Sequence, residues 1–261
     1  MITSLLQGGL GNYMFQIAAA AALAAENGDI AVFDLKLNPR PSTGSGHRCE
    51  KYITNLFSRV DFREDITPRT IYSEPSFNYK KIPYMKDICL KGYFQSEKYF
   101  KNYEKLIKEL FSPEKSVETY LQNKYSHILG LKTTSLHVRR GDYLNLKHIH
   151  PTCDVEYYQK ALKMIEDVEQ VLIFSDDIKW CKKNLNIQNC KSEFIENEPD
   201  FIDLSLMTMC DHNIISNSSF SWWGAWLNKK TDKKVIAPTK WFGPSGPEPW
   251  EDVYCDGWEK I

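Results

Sequence analysis

Arg139 and Arg140, followed by Gly141 and Asp142, are the residues of this sequence best suited to chemistry. They close the apolar run Leu136-His137-Val138. A guanidinium fork binds phosphate bidentately and keeps its charge at any physiological pH. Taken alone, two arginines near an aspartate also describe a surface ion pair of little consequence. Three further polar groups shift that balance. Ser175, Asp176 and Asp177 follow a second apolar run, and Asn217, Ser218, Ser219 and Ser221 surround Phe220 after a third. Near the start of the chain, Gly8, Gly9, Gly11 and Asn12 form a glycine-rich turn, where backbone can approach a ligand closely. The shared chemistry of these groups is the binding of a phosphate or diphosphate.

Groups so far apart need a frame that brings them together. Residues 2–6 predict a buried strand, 13–26 an alanine-rich helix stopped by Gly28, and 30–34 a second strand. Residues 36–50 are rich in Pro, Ser and Gly and read as a loop, while 51–91 show no clear pattern. Helices are predicted over 99–111 and 116–128. From there strands at 134–138, 170–174, 192–195, 212–216 and 234–237 alternate with helices at 154–168, 178–185, 201–210 and 220–227. Such alternation implies right-handed crossovers and a parallel sheet. Every strand-to-helix loop then lies on one edge, so Arg139, Asp176 and Ser219 converge on one crevice. A helix opening at Ser218 and Ser219 adds backbone N–H groups and a positive dipole end, although serine also caps helices in the ordinary way. The expected fold class is α/β, with domains at 1–131 and 132–261, the second a doubly wound parallel sheet.

Composition narrows the field. At 261 residues, 42% apolar and 26% charged, the chain is sized for one large or two small globular domains. Its net charge of −1 gives no global basic field, which argues against nucleic acid as a partner. Seven cysteines without a C-x-x-C pair argue against a disulfide framework and fit a reducing, cytoplasmic compartment. The apolar stretch 17–25 is too short to cross a bilayer, which leaves at most a peripheral association with a membrane. Two competing sites can be set aside. Gly9-x-Gly11 begins a dinucleotide fingerprint and Asp34 could be its ribose acid, but Met14 occupies the third glycine position. His148, His150 and Cys153 could meet zinc, but no fourth ligand stands nearby.

Four motifs, taken together, resemble a known family. They are Gly8-Gly9-Leu10-Gly11-Asn12-Tyr13-Met14-Phe15-Gln16, the string HVRRGDY at 137–143, Phe174-Ser175-Asp176-Asp177, and IISNSSFSWWGAWLN at 214–228. In this order they resemble the family 11 glycosyltransferases, the bacterial and animal α-1,2-fucosyltransferases, with Tyr13 standing where the family usually has Gln. The resemblance implies a GT-B enzyme, two Rossmann-like domains facing a cleft, that inverts configuration and works without metal or cofactor. Its donor would be GDP-β-L-fucose and its acceptor the 2-hydroxyl of a terminal galactose in a glycan. By resemblance Arg139 holds the β-phosphate, His137 lies near the donor, and Ser218, Ser219 and Ser221 reach the diphosphate. Asp203 matches an aspartate that binds guanine, and Asp176 touches ribose or base. Gly9, Gly11 and Asn12 lie across the cleft. Arg140, Asn217 and Phe220 complete the donor-site set, and Asp142 joins Arg139 and His137 as a catalytic candidate. The absence of a D-x-D pair agrees with a metal-free site.

In such a reaction negative charge builds on the leaving diphosphate, and preorganised cations and N–H donors must stabilise it. A base could assist the attacking hydroxyl, with His137, Asp142, Asp34 and Glu97 as candidates. Trp222, Trp223 and Trp226 stand at helical spacing beside the serine loop and are expected to be core, at least one of them buried. The N-terminal half is expected to set the acceptor. Two alternatives stay open: a fucosyltransferase of other linkage, such as α-1,6, and a non-catalytic nucleotide-sugar or glycan-binding module. The reaction is expected in the cytoplasm, or loosely held at the inner membrane where surface glycans are built.

Overall fold

The computed structural model describes residues 1–37, 49–188 and 190–261, so most of the loop expected at 36–50 lies outside the described residues. The chain forms two compact units, one of residues 1–114 with 248–255 and the other of 115–247 with 256–261.

The first unit carries β1 (Ile2–Ser4), α1 (Leu10–Glu26), β2 (Thr70–Ser73), β3 (Ile88–Lys91) and α2 (Glu104–Leu110). Its strands form a parallel sheet in the order β1-β3-β2. β2 and β3 both come from the stretch without legible pattern. The helix predicted at 13 starts at Leu10, because Gly9 serves as its N-cap and its carbonyl accepts the N–H groups of Asn12 and Tyr13. The strand predicted over 30–34 is reduced to isolated bridges, Ala31 with Ile2 and Phe33 with Phe62. Asp34 ends it by accepting the N–H of Lys36 at 2.8 Å as the chain enters a 3-10 turn. The helix predicted over 99–111 is α-helical only in α2. Phe100 breaks it with an extended φ of −144° and buries its ring 6.1 Å from that of Phe15. Residues 248–255 return to this unit, where the Asp252 carboxylate accepts the Tyr79 N–H at 3.0 Å and pairs with Lys98.

The second unit runs α3 (Lys115–Lys124), β4 (Thr133–Val138), α4 (Val155–Lys163), β5 (Gln170–Ser175), α5 (Ile178–Asn184), β6 (Lys191–Phe194), α6 (Asp200–Met209), β7 (His212–Ile214), α7 (Ser219–Leu227), β8 (Val235–Ala237) and β9 (Glu259–Lys260). Six strands pair in parallel in the order β6-β5-β4-β7-β8-β9. Numbered within the unit this is 3-2-1-4-5-6, the doubly wound order, whose direction reverses between β4 and β7. Alternation along β5 shows both faces covered. Val171 and Ile173 pack with Tyr158 and Ala161 of α4 and Cys181 of α5, while Leu172 and Phe174 pack with Ile202 and Leu206 of α6 and Leu121 of α3.

This packing explains two departures from the sequence expectation. A domain boundary at 131/132 would assign α3 to the first unit, yet Leu121 and Tyr125 are buried in the second unit's core. α4 stops at Lys163 rather than 168, and Asp167 takes a left-handed φ of +57° as the chain turns into β5. None of the seven cysteines forms a disulfide. No helix among the described residues is long and apolar enough to cross a membrane.

Candidate active site

The reversal between β4 and β7 leaves a crevice beyond the carboxyl ends of these strands, where ligands of open α/β sheets bind. β4 delivers His137 at its penultimate position and Arg139 just beyond its end. β7 leads to Ser216 and to the start of α7. A hydrogen bond of 2.9 Å between His137 Nδ1 and Ser216 Oγ joins the two strand ends. His137 is buried, with its ring 5.4 Å from that of Phe220. Burial, and then the nearby charge of Arg139, lower its pKa to about 3, so the imidazole is neutral at physiological pH. Where Ser216 donates to Nδ1, Nε2 carries the hydrogen and becomes a donor; the other tautomer makes it an acceptor.

Arg139 is held from two sides. Its Nη2 donates to Asp142 Oδ1 at 2.7 Å, and its Nη1 lies 3.2 Å from Asp176 Oδ2. Its guanidinium also sits 5.3 Å from the Tyr143 ring centroid. With side chains this exposed each ion pair contributes about 1 kcal/mol or less, so their main effect is orientation. Asp176 serves both arginines, since its Oδ1 accepts the Arg140 N–H at 2.9 Å. Gly141 is the residue that lets it: a Cβ there would lie 2.5 Å from Asp176 Oδ2. The Arg140 side chain is engaged elsewhere, stacked 3.9 Å over Trp180 with Nε 3.3 Å from Asp177. Its fork is committed to this unit's own packing.

Much of the serine loop is engaged in holding its own structure. Asn217 is buried, and its amide donates to the carbonyls of Pro151 at 2.8 Å and Trp241 at 3.0 Å. Its backbone carbonyl accepts the Tyr143 hydroxyl at 3.2 Å. Ser218 caps α7, its Oγ accepting from the Phe220 N–H at 3.4 Å, and buried Ser221 donates to the Ser218 carbonyl. Ser219 and Phe220 stay half-buried at the helix start, beside the positive dipole end of α7. Trp222 and Trp223 are fully buried and Trp226 nearly so, which makes the tryptophans core.

Asp203 lies in the first turn of α6, just after the loop that leaves β6. Its Oδ1 is buried without a partner among the described residues. Burial first, then the carboxylates of Glu198 and Asp200, raise its pKa to about 8. Such an orphaned oxygen suits a ligand carrying N–H donors. Asp34 is not an available base: it is buried and accepts the N–H groups of Lys36 and Ile66. Among the described residues no three His, Cys, Asp or Glu side chains stand together as metal ligands.

The first unit has a polar rim of its own at the carboxyl ends of adjacent strands β1 and β3. Gly8, at φ +89°, opens the turn after β1; a Cβ there would lie 2.3 Å from Asn12 Nδ2. Gly9 and Gly11 belong to the start of α1, with Gly11 buried. Buried Gln16 ties this turn to the loop after β3: its amide bonds the N–H and carbonyl of Gln7 and donates to the Gly92 carbonyl at 3.1 Å. Glu74, just beyond β2, accepts the N–H groups of Tyr93 at 2.7 Å and Phe94 at 3.0 Å. Burial pushes the Glu74 carboxyl up. Phe94 is held at φ +53°, a conformation that costs a bulky residue about 1–3 kcal/mol. The turn delivers Gln95, whose Nε2 donates to Asn12 Oδ1 at 2.8 Å.

Sequence reasoning found the arginines, Asp176 and the serine loop, and missed Ser216, Tyr143 and Trp180 as their holders, together with Gln16, Glu74 and Gln95. Ser216 and Tyr143 stand inside or beside the quoted motifs, so their place at strand ends was the available signal. Gln16 likewise closes a quoted motif, whereas Glu74 and Gln95 had no such signal, because β2 and β3 were not legible.

The sequence model described as glycosyl transferase family 11 matches residues 1–261. The chain is 33% identical over 270 residues to an alpha-1,2-colitosyltransferase of Escherichia coli, covering 93% of this chain and 92% of that protein. It is 36% identical over 210 residues to the O-antigen biosynthesis glycosyltransferase WbnK of Escherichia coli, covering 75% and 68%. A bovine galactoside alpha-(1,2)-fucosyltransferase 1 is 26% identical over 240 residues, covering 85% and 64%. Among solved structures, NodZ alpha-1,6-fucosyltransferase soaked with GDP-fucose superposes with a TM-score of 0.52 at 12% identity, covering 87% of this chain and 91% of that one. POFUT1 in complex with GDP-fucose gives 0.55 at 10% identity, covering 90% and 97%. These structural likenesses establish the GT-B-like α/β fold.

Proposed function

The chain belongs to glycosyl transferase family 11, and on that premise we propose how its residues carry out fucosyl transfer. It is a GDP-fucose-dependent galactoside α-1,2-fucosyltransferase, in line with its similarity to α-1,2-linking relatives. The product fits O-antigen-type surface glycans, the context named for WbnK.

The observation that carries the site reading is the meeting of the Arg139 loop and the start of α7 at one strand-order reversal. Transfer breaks the bond from fucose C1 to the β-phosphate oxygen and forms one from C1 to the acceptor's 2-oxygen on the opposite face. Negative charge collects on the departing GDP. Arg139 meets it with a planar fork, and Ser219 and the first turn of α7 add donors, each worth about 3–4 kcal/mol when preorganised. Asp176 and Asp142 are positioning residues that aim the fork. Neutral His137 completes the donor side without adding charge. Asp203 takes the guanine N–H edge with its orphaned oxygen. No group is built as a strong base: His137 is a weak one and Asp142 is shared with Arg139. The acceptor proton therefore leaves late, to water. This division of labour needs no metal. Seven cysteines outside any disulfide support a reducing, cytoplasmic setting.

One relative favours a second donor reading. The similarity to the colitosyltransferase spans nearly both chains, and colitose is L-fucose without the 3-hydroxyl. The test is a panel of GDP-sugars crossed with galactose-ended acceptors, read as GDP release and product linkage. GDP-fucose turnover accelerated by lactose, with an α-1,2 product, is the expected result. Donor binding without turnover would make the protein a binding module instead.

A further inference from the structure

We propose that Gln95 is an acceptor-positioning residue, its side-chain carbonyl accepting a hydrogen bond from a ring hydroxyl of the acceptor sugar. The inference rests on the fucosyltransferase reading and adds a residue and a ligand group to it.

Gln95 is more than nine-tenths buried, at 8% exposure. Its Nε2 is fixed on Asn12 Oδ1 at 2.8 Å, which fixes the direction of the amide plane. Oε1 takes no partner among the described residues. This oxygen keeps contact with solvent, which leaves it within reach of a ligand hydroxyl.

The surroundings are built to hold this amide still. Gln95 follows Phe94, whose left-handed backbone is pinned from Glu74 through two N–H groups. Gln16 locks the same loop to the turn that carries Asn12. Two loops from neighbouring parallel strands are thus fastened together beneath one amide pair. Backbone strain tends to persist where function over-determines it. The next residue, Ser96, is buried, and its Oγ accepts the Lys98 N–H at 3.3 Å, so the loop is anchored on its far side too.

The chemistry of the rim selects its ligand. Gly8, Asn12 and Gln95 present neutral amides and backbone. The Glu74 carboxylate next to them already serves the Tyr93 and Phe94 N–H groups. Neutral amides suit the hydroxyls of an uncharged sugar, whereas a diphosphate calls for the cations gathered around Arg139 in the other unit.

The experiment compares wild type with Gln95→Ala and with Gln95→Met, which fills similar volume without the amide. Circular dichroism melting checks the fold. GDP-fucose hydrolysis without acceptor reads the donor side, and KM for lactose reads the acceptor side. We expect hydrolysis within two-fold of wild type and lactose KM raised about ten-fold, the effect of one lost hydrogen bond. Galactosides lacking the 3-, 4- or 6-hydroxyl supply the second arm. One of them is expected to raise KM about ten-fold in wild type and less than two-fold in the variants. An unchanged lactose KM, a parallel fall in hydrolysis, or full sensitivity to all three deoxygalactosides in the variants would overturn the assignment. If wild type releases no GDP from GDP-fucose, the functional reading itself fails first.

Discussion

His137 and Ser216 stand 79 residues apart in the chain and share a buried hydrogen bond of 2.9 Å. The bond closes the gap between β4 and β7, where the strand order reverses. On one side of it lies Arg139, on the other the start of α7. The distance between cation and helix end is therefore fixed by the sheet rather than by flexible side chains, which is what preorganised charge stabilisation requires.

Arg139→Lys keeps the charge and loses the fork. We expect kcat to fall by about 10²–10³. Asp142→Asn removes one of two carboxylates that aim Arg139 and should hold kcat within about ten-fold, the scale of a half-exposed ion pair. Steady-state kinetics on the two variants checks both. Wild-type turnover in Arg139→Lys, or abolition in Asp142→Asn, would reverse the roles given to these residues.

His137 should remain neutral across the working range. Its folded pKa of about 3 lies below the unfolded value near 6.5. Between those values the unfolded chain binds the extra proton, so stability is lost as pH falls from about 6.5 towards 3. NMR titration should show no His137 transition between pH 5 and 8, and Ser216→Ala should alter the tautomer signals of its ring. A titration near 6.5 would contradict this geometry.

Asp203 predicts the opposite sign. Its folded pKa of about 8 exceeds the unfolded value near 3.9. Stability from this group is fully present below about pH 4 and lost as pH rises through 8. Asp203→Asn should therefore raise Tm at pH 8, with no gain at pH 4, while weakening GDP about ten-fold. Calorimetry in buffers of differing ionisation enthalpy should show release of up to about one proton on GDP binding at pH 7 and none at pH 9. A variant that binds GDP as wild type does would remove Asp203 from the site.

If Arg139, Ser219 and the α7 dipole carry the leaving charge, chelation has nothing to remove. Turnover after EDTA treatment and after addition of magnesium should agree within two-fold. A strong dependence on added divalent ion would shift the charge stabilisation from the protein to a metal.

Much of the second unit could be read from sequence because its central strands carry buried stretches that end in polar loops, although β6 and β9 at the edges are polar and partly exposed. Thr133–Val138 and Gln170–Ser175 are examples of the central strands. The strand order was not readable, since it depends on crossovers, yet it is what puts Arg139 beside α7. The first unit was obscure for a physical reason. β2 alternates half-buried with exposed residues over only four positions, and β3 is equally short. Their loops are held by Gln16 and Glu74, whose effect depends on contacts 76 and 19–20 residues away. In the site, residue types announced charge, whereas the structural parts of Asn217, Ser218 and Ser221 emerged only from the bonds they make.

The return of residues 248–255 to the first unit bears on how the chain is born. Synthesis is vectorial, and this unit lacks its last segment until residue 255 has cleared the ribosome. Until then Tyr79 and Lys98 wait for Asp252. The nascent N-terminal sheet therefore goes without these contacts through translation of the whole doubly wound unit, and a fragment ending near residue 114 lacks them altogether.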